Sequence, residues 1–139
     1  WQMEVGDTAT DFEHLPHDIQ LQRCKRYFQM YPRVEKDSSS DYTALATGYA
    51  DTTNEAIVLT HLNPTMRAKP SGSSSGSFRA HHKNTAHAVT GIVFNTSLTS
   101  SDGLAMVLTI GSTSFTQGNG LLFEQNNDGD ARIFADAEL

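Results

Sequence analysis

Histidine gives this sequence its widest range of chemistry, because a neutral imidazole binds metal ions and exchanges protons near neutral pH. Three of the six histidines lie close together, at positions 81, 82 and 87. In one extended strand His81 and His87 would share a face, and His82 would point to the other. A zinc site needs three ligands that converge, so we expect exposed polar histidines here and no metal site.

The acidic stretch at residues 124–130 follows the pattern of a calcium-binding loop only at its start. Glu124, Asn126 and Asp128 stand at the first, third and fifth positions of such a loop, but the twelfth position is Ala135 instead of a bidentate glutamate. The flanking residues are typical of strands, so the segment NNDGD predicts a hairpin turn in which Asp-Gly supplies the positive φ. We therefore expect neither a bound metal ion nor another cofactor.

No constellation for nucleophilic catalysis stands out in the sequence. A G-x-S-x-G turn that precedes a helix would position a serine nucleophile, and no such turn precedes a predicted helix. The single Cys24 excludes an internal disulfide. Its neighbours favour a buried structural thiol, and a thiolate activated by Lys25 and Arg26 is the alternative. We expect a protein that is not an enzyme, with a polysaccharide depolymerase as the catalytic alternative.

Ligand binding through surface loops fits the composition better. Loops rich in Ser, Thr, Asn and Asp suit sugar hydroxyls, and aromatic faces stack on pyranose rings. The predicted binding loops are residues 71–85 and 112–120. The candidate ligand-binding residues are Phe78, Arg79, His81, His82, Phe115, Gln117 and Asn119. For Phe78 and Phe115, a place in the core is an equal alternative.

One helix is predicted, over residues 18–31. Leu21, Cys24, Phe28 and Tyr31 fall at helical spacing and would share one face. A twisted strand is the alternative for the second half, since tyrosine and phenylalanine also favour strands.

The rest of the chain alternates between short apolar segments and turn-forming residues. The predicted strands are 42–49, 56–62, 86–95, 104–111, 120–125 and 131–139, with edge strands at 66–71 and 77–83. The tract SGSSSGS at 71–77 predicts a flexible loop by composition. In the segment HLNPTMRAKPS, Met66 is expected to face the core, with Arg67 and Lys69 at the surface. The regular succession of short strands and turns predicts a mainly β fold, an antiparallel jelly-roll-like β-sandwich with one N-terminal helix.

Length and charge limit the classes of partner. The 139 residues suit one domain, and we expect residues 1–17 to be the end strand and linker of a preceding module and residues 18–139 to form the β-sandwich. The formal charge of −6 argues against nucleic acid. No run of 18 apolar residues occurs, so membrane insertion is not expected.

Several segments together resemble a known group of proteins. QMEVGDTATDFEH resembles the closing strand and exit linker of a carbohydrate-binding jelly roll in phage tail and virion proteins. LQRCKRYFQMY, which contains Cys24-x-Arg26-Tyr27, resembles the element that follows this linker. The same order continues with HLNPTMRAKPS, which contains Pro64-x-Met66-Arg67, and with the terminal strand ending in DAEL. Residues 71–120 resemble the group only in their general succession of short strands.

The resemblance implies a C-terminal domain of a phage tail-fibre-like or other virion appendage protein. Such a domain is expected to be mostly β, to form a homotrimer in the virion, and to bind a host cell-surface glycan. It would contact other virion proteins through its N-terminal side. The resemblance brings no catalytic residue with it. A purely structural domain that trimerises and caps a fibre is the alternative.

Overall fold

The computed structural model describes residues 16–32 and 42–137. In these ranges no helix is long and apolar enough to cross a membrane. The helix and strands that the structure describes are α1 (His17–Lys25), β1 (Phe28–Tyr31), β2 (Ala44–Ala50), β3 (Glu55–His61), β4 (Ser71–Ser75), β5 (Phe78–His82), β6 (Thr85–Phe94), β7 (Gly103–Ile110), β8 (Gly120–Gln125) and β9 (Arg132–Asp136).

Six of these strands form a closed barrel in the order β2-β3-β7-β6-β5-β8, and β1-β9-β4 form a separate small sheet. The mainly β class with one helix and antiparallel sheets is therefore confirmed. The prediction of a sandwich is corrected to a barrel, because β5 pairs with both β6 and β8 and leaves no free edge in that sheet. The alternation of apolar and polar residues along a strand indicates which residues face inward, but it does not indicate which strands pair.

The barrel and the small sheet share one hydrophobic core. Inward residues of the barrel include Met106, Leu108 and Phe123, and all three are fully buried. The ring of Phe123 lies 5.2 Å from that of Phe78. Ile133 of β9 belongs to the same cluster, so the small sheet packs as part of this domain.

The antiparallel order gives the barrel two distinct ends. The turns at 51–54 and 83–84 and the segment 111–119 lie at one end, which we call the hairpin end. The connections 62–70, 76–77 and 126–131 link the barrel to the small sheet and leave from the opposite end, the sheet end. Because β1 belongs to the small sheet, the first described elements are associated with the sheet end.

The predicted helix is shorter than the sequence pattern indicated. It ends at Lys25, and β1 pairs with β9 from Phe28 to Tyr31, so the strand alternative for the second half is confirmed. This pairing removes Phe28 and Tyr31 from the helical face, and no residue of α1 is buried. Cys24 is consequently exposed, and the prediction of a buried thiol was wrong.

Gln29 fixes the segment 62–70 to β1. Its buried side-chain amide donates to the carbonyl oxygens of Lys25 at 3.0 Å and Pro64 at 2.6 Å. Its Oε1 accepts from the backbone N–H of Asn63 at 3.1 Å. On this segment Met66 is buried, while Arg67 and Lys69 are exposed, as predicted. The predicted edge strand at 66–71 does not form, since only Ser71 of that range lies in a strand.

The serine-rich tract is an ordered strand instead of a flexible loop. Residues 71–75 form β4 and pair with residues 132–136 of β9. At Gly72 an added Cβ would lie 2.0 Å from the ring of Phe94, so the small sheet approaches the barrel closely there. Composition alone suggested flexibility because the strand's backbone partners lie about sixty residues further along the chain.

The acidic turn also differs from its prediction. Residues 126–131 join β8 of the barrel to β9 of the small sheet, so they do not form a hairpin. The positive φ falls at Asn127, with a value of 52°, and Gly129 has no positive φ. The Asp128 carboxylate accepts hydrogen bonds from the backbone N–H groups of Ser77 at 2.7 Å and Asp130 at 3.1 Å. Its role in the structure is to stabilise this crossover.

Candidate functional site

The hairpin end of the barrel is built around a tight two-residue turn. Lys83 and Asn84 have φ values of 47° and 62°, which is the geometry of a turn that matches the twist of two paired strands. The turn reverses the chain, so Ala80 faces His87 across the hairpin. His82 and His87 therefore share a face. The expectation that His81 and His87 do so was wrong, because it treated residues 81–87 as one strand.

Phe115 closes this end of the barrel. Its side chain is only 4% exposed, and its ring lies edge-on to the rings of His82 at 5.5 Å and His87 at 5.7 Å. Its backbone N–H donates to the carbonyl of Thr53 at 2.9 Å. Phe115 thus anchors the segment 111–119 to the hairpin β5–β6 through its ring and to the turn between β2 and β3 through its backbone.

His82 is buried beside Phe115 with one unsatisfied nitrogen. It is 2% exposed, and its Nε2 has no hydrogen-bond partner in the described structure. Burial lowers the pKa of His82 below its ordinary value of 6.5, and the electrostatic effects of the neighbouring Lys83 and His87 lower the pKa further. The fold therefore favours the neutral imidazole.

This shift predicts a loss of stability on acidification. Because the folded-state pKa lies below the unfolded one, the contribution of His82 is fully present above about pH 6.5 and is lost as the pH falls below that value. Urea denaturation of the wild type at about pH 7.5, 6.5 and 5.5 measures this loss. A His82→Leu variant should lose less free energy of unfolding on acidification than the wild type.

The matched control is His81→Leu, because His81 lies one residue away and is only half-buried. This variant should keep the wild-type dependence on pH. If the His82 and His81 variants respond to pH in the same way, burial of His82 is not the cause of the acid sensitivity.

Polar side chains cover the surface above this base. The Lys83 ammonium donates to Thr116 Oγ1 at 2.8 Å, which joins the hairpin to the segment 111–119. The Gly118 N–H donates to the Ala50 carbonyl at 2.8 Å. The side chains of Asn84, Thr116 and Gln117 are exposed. The hairpin end therefore presents hydrogen-bonding groups on a backbone that is held at several points.

The structure brings together part of the candidate ligand-binding set. His82, Phe115, Gln117 and Asn119 lie at the hairpin end, although His82 and Phe115 form its buried base and are not exposed to a ligand. Phe78 begins β5 at the opposite end of the strand, where it is buried against Phe123. The core alternative for both phenylalanines agrees with their burial. The predicted loop 71–85 is accordingly divided between the two ends of the barrel.

Arg79 and His81 point away from the barrel interior, on the outer side of β5. Nε of Arg79 donates to Glu124 Oε1 at 2.6 Å, and the guanidinium carbon lies 3.8 Å from the centre of the Tyr42 ring. The Arg79–Glu124 pair is partly buried, so this arginine is already engaged in holding β5 to β8. His81 remains half-buried opposite Leu122.

The predicted loops 71–85 and 112–120 contain Lys83, Asn84 and Thr116, which are central to this surface, but none of the three was among the candidate ligand-binding residues. Asn84 could have indicated the turn, because asparagine tolerates a positive φ between two strands. Across the described ranges, no three His, Cys, Asp or Glu side chains come together in a way that could hold a metal ion. No family model, curated protein or solved structure matches the chain.

Proposed function

We propose that this chain is a non-enzymatic attachment domain of a virion appendage, such as a phage tail fibre, and that it binds a host cell-surface glycan at the hairpin end. The observation that carries the proposal is the placement of a braced polar surface opposite the sheet end. The first described elements, α1 and β1, belong to the sheet end, which would contact other virion proteins. The hairpin end would then be directed toward the host.

The chemistry of the hairpin end suits sugar hydroxyls. Lys83, Asn84 and Gln117 supply donors and acceptors in one region, and the contacts of Phe115 hold their backbones before a ligand arrives. Preorganised groups lose less conformational entropy on binding. The surface is shallow, so a single site is expected to bind weakly, and several copies would raise avidity by a factor of about 10²–10⁴ where their spacing matches the target.

The outer face of the barrel supports the proposal of a homotrimer. Tyr49, Ile57, Val107 and Val93 form a continuous row across β2, β3, β7 and β6. Leu59 is 55% exposed and Val93 62%. Beside the row lies a groove of about 320 Å³ whose lining contains no charged side chain. In a chain with a charge of −6, an uncharged face can meet other copies without bringing like charges together.

Light scattering after size exclusion tests the assembly. We expect a trimer at about 10 µM protein and a monomer after Leu59→Asp, because a buried unpaired carboxylate strongly opposes association. Thr90→Asp, an exposed position on β6, is the matched control and should remain trimeric. A monomeric wild type would contradict the trimer. A trimer that binds no glycan would favour the structural role of capping a fibre, which the same apolar face supports.

A glycan array with the complete chain tests attachment directly. We expect at least one neutral or acidic glycan to bind, with weak affinity per site and much tighter binding to densely printed spots. The absence of any binder at about millimolar glycan would contradict the proposal.

A further inference from the structure

Three arginines surround a polar groove at the sheet end of the molecule, away from the hairpin end. The groove has a volume of about 480 Å³ and is lined by Arg23, Arg26, Tyr27 and Arg67. Arg23 belongs to the last turn of α1, Arg26 and Tyr27 follow directly, and Arg67 comes from the segment 62–70. We call this feature the arginine groove.

Contacts within the fold hold the two sides of the groove together. The backbone N–H of Arg67 donates to the carbonyl of Arg26 at 2.8 Å. The guanidinium of Arg67 lies 5.0 Å from the centre of the Tyr27 ring, a distance at which the ring attracts the cation. The side-chain amide of Gln29 donates to the carbonyl oxygen of Pro64 at 2.6 Å, so the segment that carries Arg67 is fixed to β1.

Within the described part of the chain, the three arginines of the groove form no ion pair. Among residues 16–32 and 42–137, no carboxylate oxygen lies within 4.0 Å of the guanidinium nitrogens of Arg23, Arg26 or Arg67, whereas Arg79 pairs with Glu124. The helix dipole favours cations near the C-terminal end of a helix, and this accounts for Arg23 in the last turn of α1. The dipole does not account for Arg67, which comes from a different element and yet faces the same groove.

We infer that the arginine groove is an anion-binding site for an acidic polysaccharide. Guanidinium groups bind carboxylate and phosphate oxygens through paired hydrogen bonds in a fixed plane, and Tyr27 restrains one of these groups in advance. The shared chemistry is an oxyanion on a sugar polymer, supplied by a uronic acid or by a phosphodiester link. A nucleic acid is disfavoured, because three arginines on a chain with a charge of −6 do not form the extended basic surface that it requires. This site lies at the sheet end, separate from the hairpin end, and it binds its anion independently of the glycan site proposed there.

The test is calorimetric titration of the complete chain with three soluble polymers: polygalacturonate, poly(glycerol phosphate) and neutral dextran. We expect binding to at least one acidic polymer, no binding to dextran, and weaker binding as sodium chloride rises from about 50 mM to about 500 mM. Binding to only one acidic polymer identifies the source of the oxyanion. Binding to both supports the shared chemistry.

Charge-neutral variants locate the site. Arg67→Gln is expected to weaken binding by about tenfold or more, since it removes a charged hydrogen-bond donor. Lys69→Gln is the matched control: the residue is an exposed cation on the same segment and does not line the groove. Its effect should stay within about twofold. Arg23→Gln provides a second variant, at an exposed residue of α1, in case Arg67→Gln disturbs the fold.

Three results would overturn the inference. The first is no binding to either acidic polymer at low salt. The second is an equal loss for Arg67→Gln and Lys69→Gln, which would indicate diffuse attraction to any surface cation. The third is tighter binding of duplex DNA with the same dependence on Arg67, which would assign the groove to nucleic acid.

Discussion

Replacing Gly48 by alanine is expected to lower the free energy of unfolding by about 3 kcal/mol or more, because the new methyl group overpacks the barrel wall. A Cβ at this position would lie 2.0 Å from the carbonyl oxygen of Ile57 and 2.7 Å from the Cα of Val58. Both are backbone atoms of β3, which is paired on its other edge with β7. The strand therefore cannot move aside without disturbing the closure of the barrel.

Urea denaturation, monitored by far-ultraviolet circular dichroism, measures this change in the free energy of unfolding. Gly91→Ala is the matched control, because an added Cβ on β6 would approach nothing closer than the Thr109 Cβ at 3.7 Å. We expect this variant to change the free energy of unfolding by less than about 1 kcal/mol, since the smaller entropy of the unfolded alanine chain favours folding. Equal effects of the two substitutions would contradict the close approach of β2 and β3.

Removal of the Phe115 ring is expected to have an effect of similar size, but localised at the hairpin end. Truncation of a buried phenylalanine to alanine costs about 3–5 kcal/mol, and here the ring is also the contact between His82, His87 and the segment 111–119. Without it, Thr116 and Gln117 lose the base that positions them. Phe115→Ala should therefore reduce both stability and glycan binding.

Hydrogen exchange separates the local effect from a global one. Amides of the hairpin end should exchange faster in Phe115→Ala, with little change in β9, under conditions where the variant remains folded. Phe28→Ala is the control, because Phe28 is an aromatic residue that is 48% exposed. Because its ring stacks on that of Phe134 at 6.0 Å, the substitution should cost about 1–2 kcal/mol, less than Phe115→Ala, and leave glycan binding intact. Uniformly faster exchange in Phe115→Ala would contradict the role of Phe115 as a local anchor.

The positions of the barrel strands were predictable because their signals are local. Segments such as 104–111 and 120–125 combine apolar residues with flanking Gly, Asn and Ser, and the observed β7 and β8 begin and end within one residue of the prediction. Pairing between strands is not local. Closure of the barrel depends on the pairing of β5 with β8, which lies some forty residues later in the chain. The alternation of apolar and polar residues in neither strand indicates this pairing.

Segments whose structure depends on pairing with a distant strand were the ones misjudged. Ser71–Ser75 carries no hydrophobic alternation, so composition indicated a loop, while its backbone is paired with β9. In the same way, strand pairing in the small sheet overrode the helical spacing that joined Leu21 to Phe28. In both cases a long-range backbone ladder decided the local structure, which a short window of sequence does not contain.

The sequence predicted two binding loops, and the structure shows only where their residues lie. Residues 112–119 lie at the hairpin end beside the last residues of the predicted loop 71–85, and two of the candidate ligand contacts there are buried. Phe115 and His82 form the buried base, and the exposed groups are Lys83, Asn84 and Thr116. A turn residue that reverses the chain changes the face of every residue after it, which is why the histidines were misplaced.

Two short motifs noted in the sequence meet in the structure. Cys24-x-Arg26-Tyr27 and Pro64-x-Met66-Arg67 lie forty residues apart in the chain. They join through the Arg67–Arg26 backbone hydrogen bond and the contact of Arg67 with Tyr27. Their spacing alone gave no indication of this contact, and it is the basis of the arginine groove.

Attachment through the hairpin end is the central claim, and chemical-shift mapping tests it most directly. Isotope-labelled complete chain would be titrated with the neutral glycan that binds best on the array. We predict that the largest shift changes fall on residues 82–87 and 112–119, and that Gln117→Ala weakens binding while leaving the spectrum otherwise unchanged. Changes confined to the sheet end, or no changes at a saturating concentration of the glycan, would contradict the account.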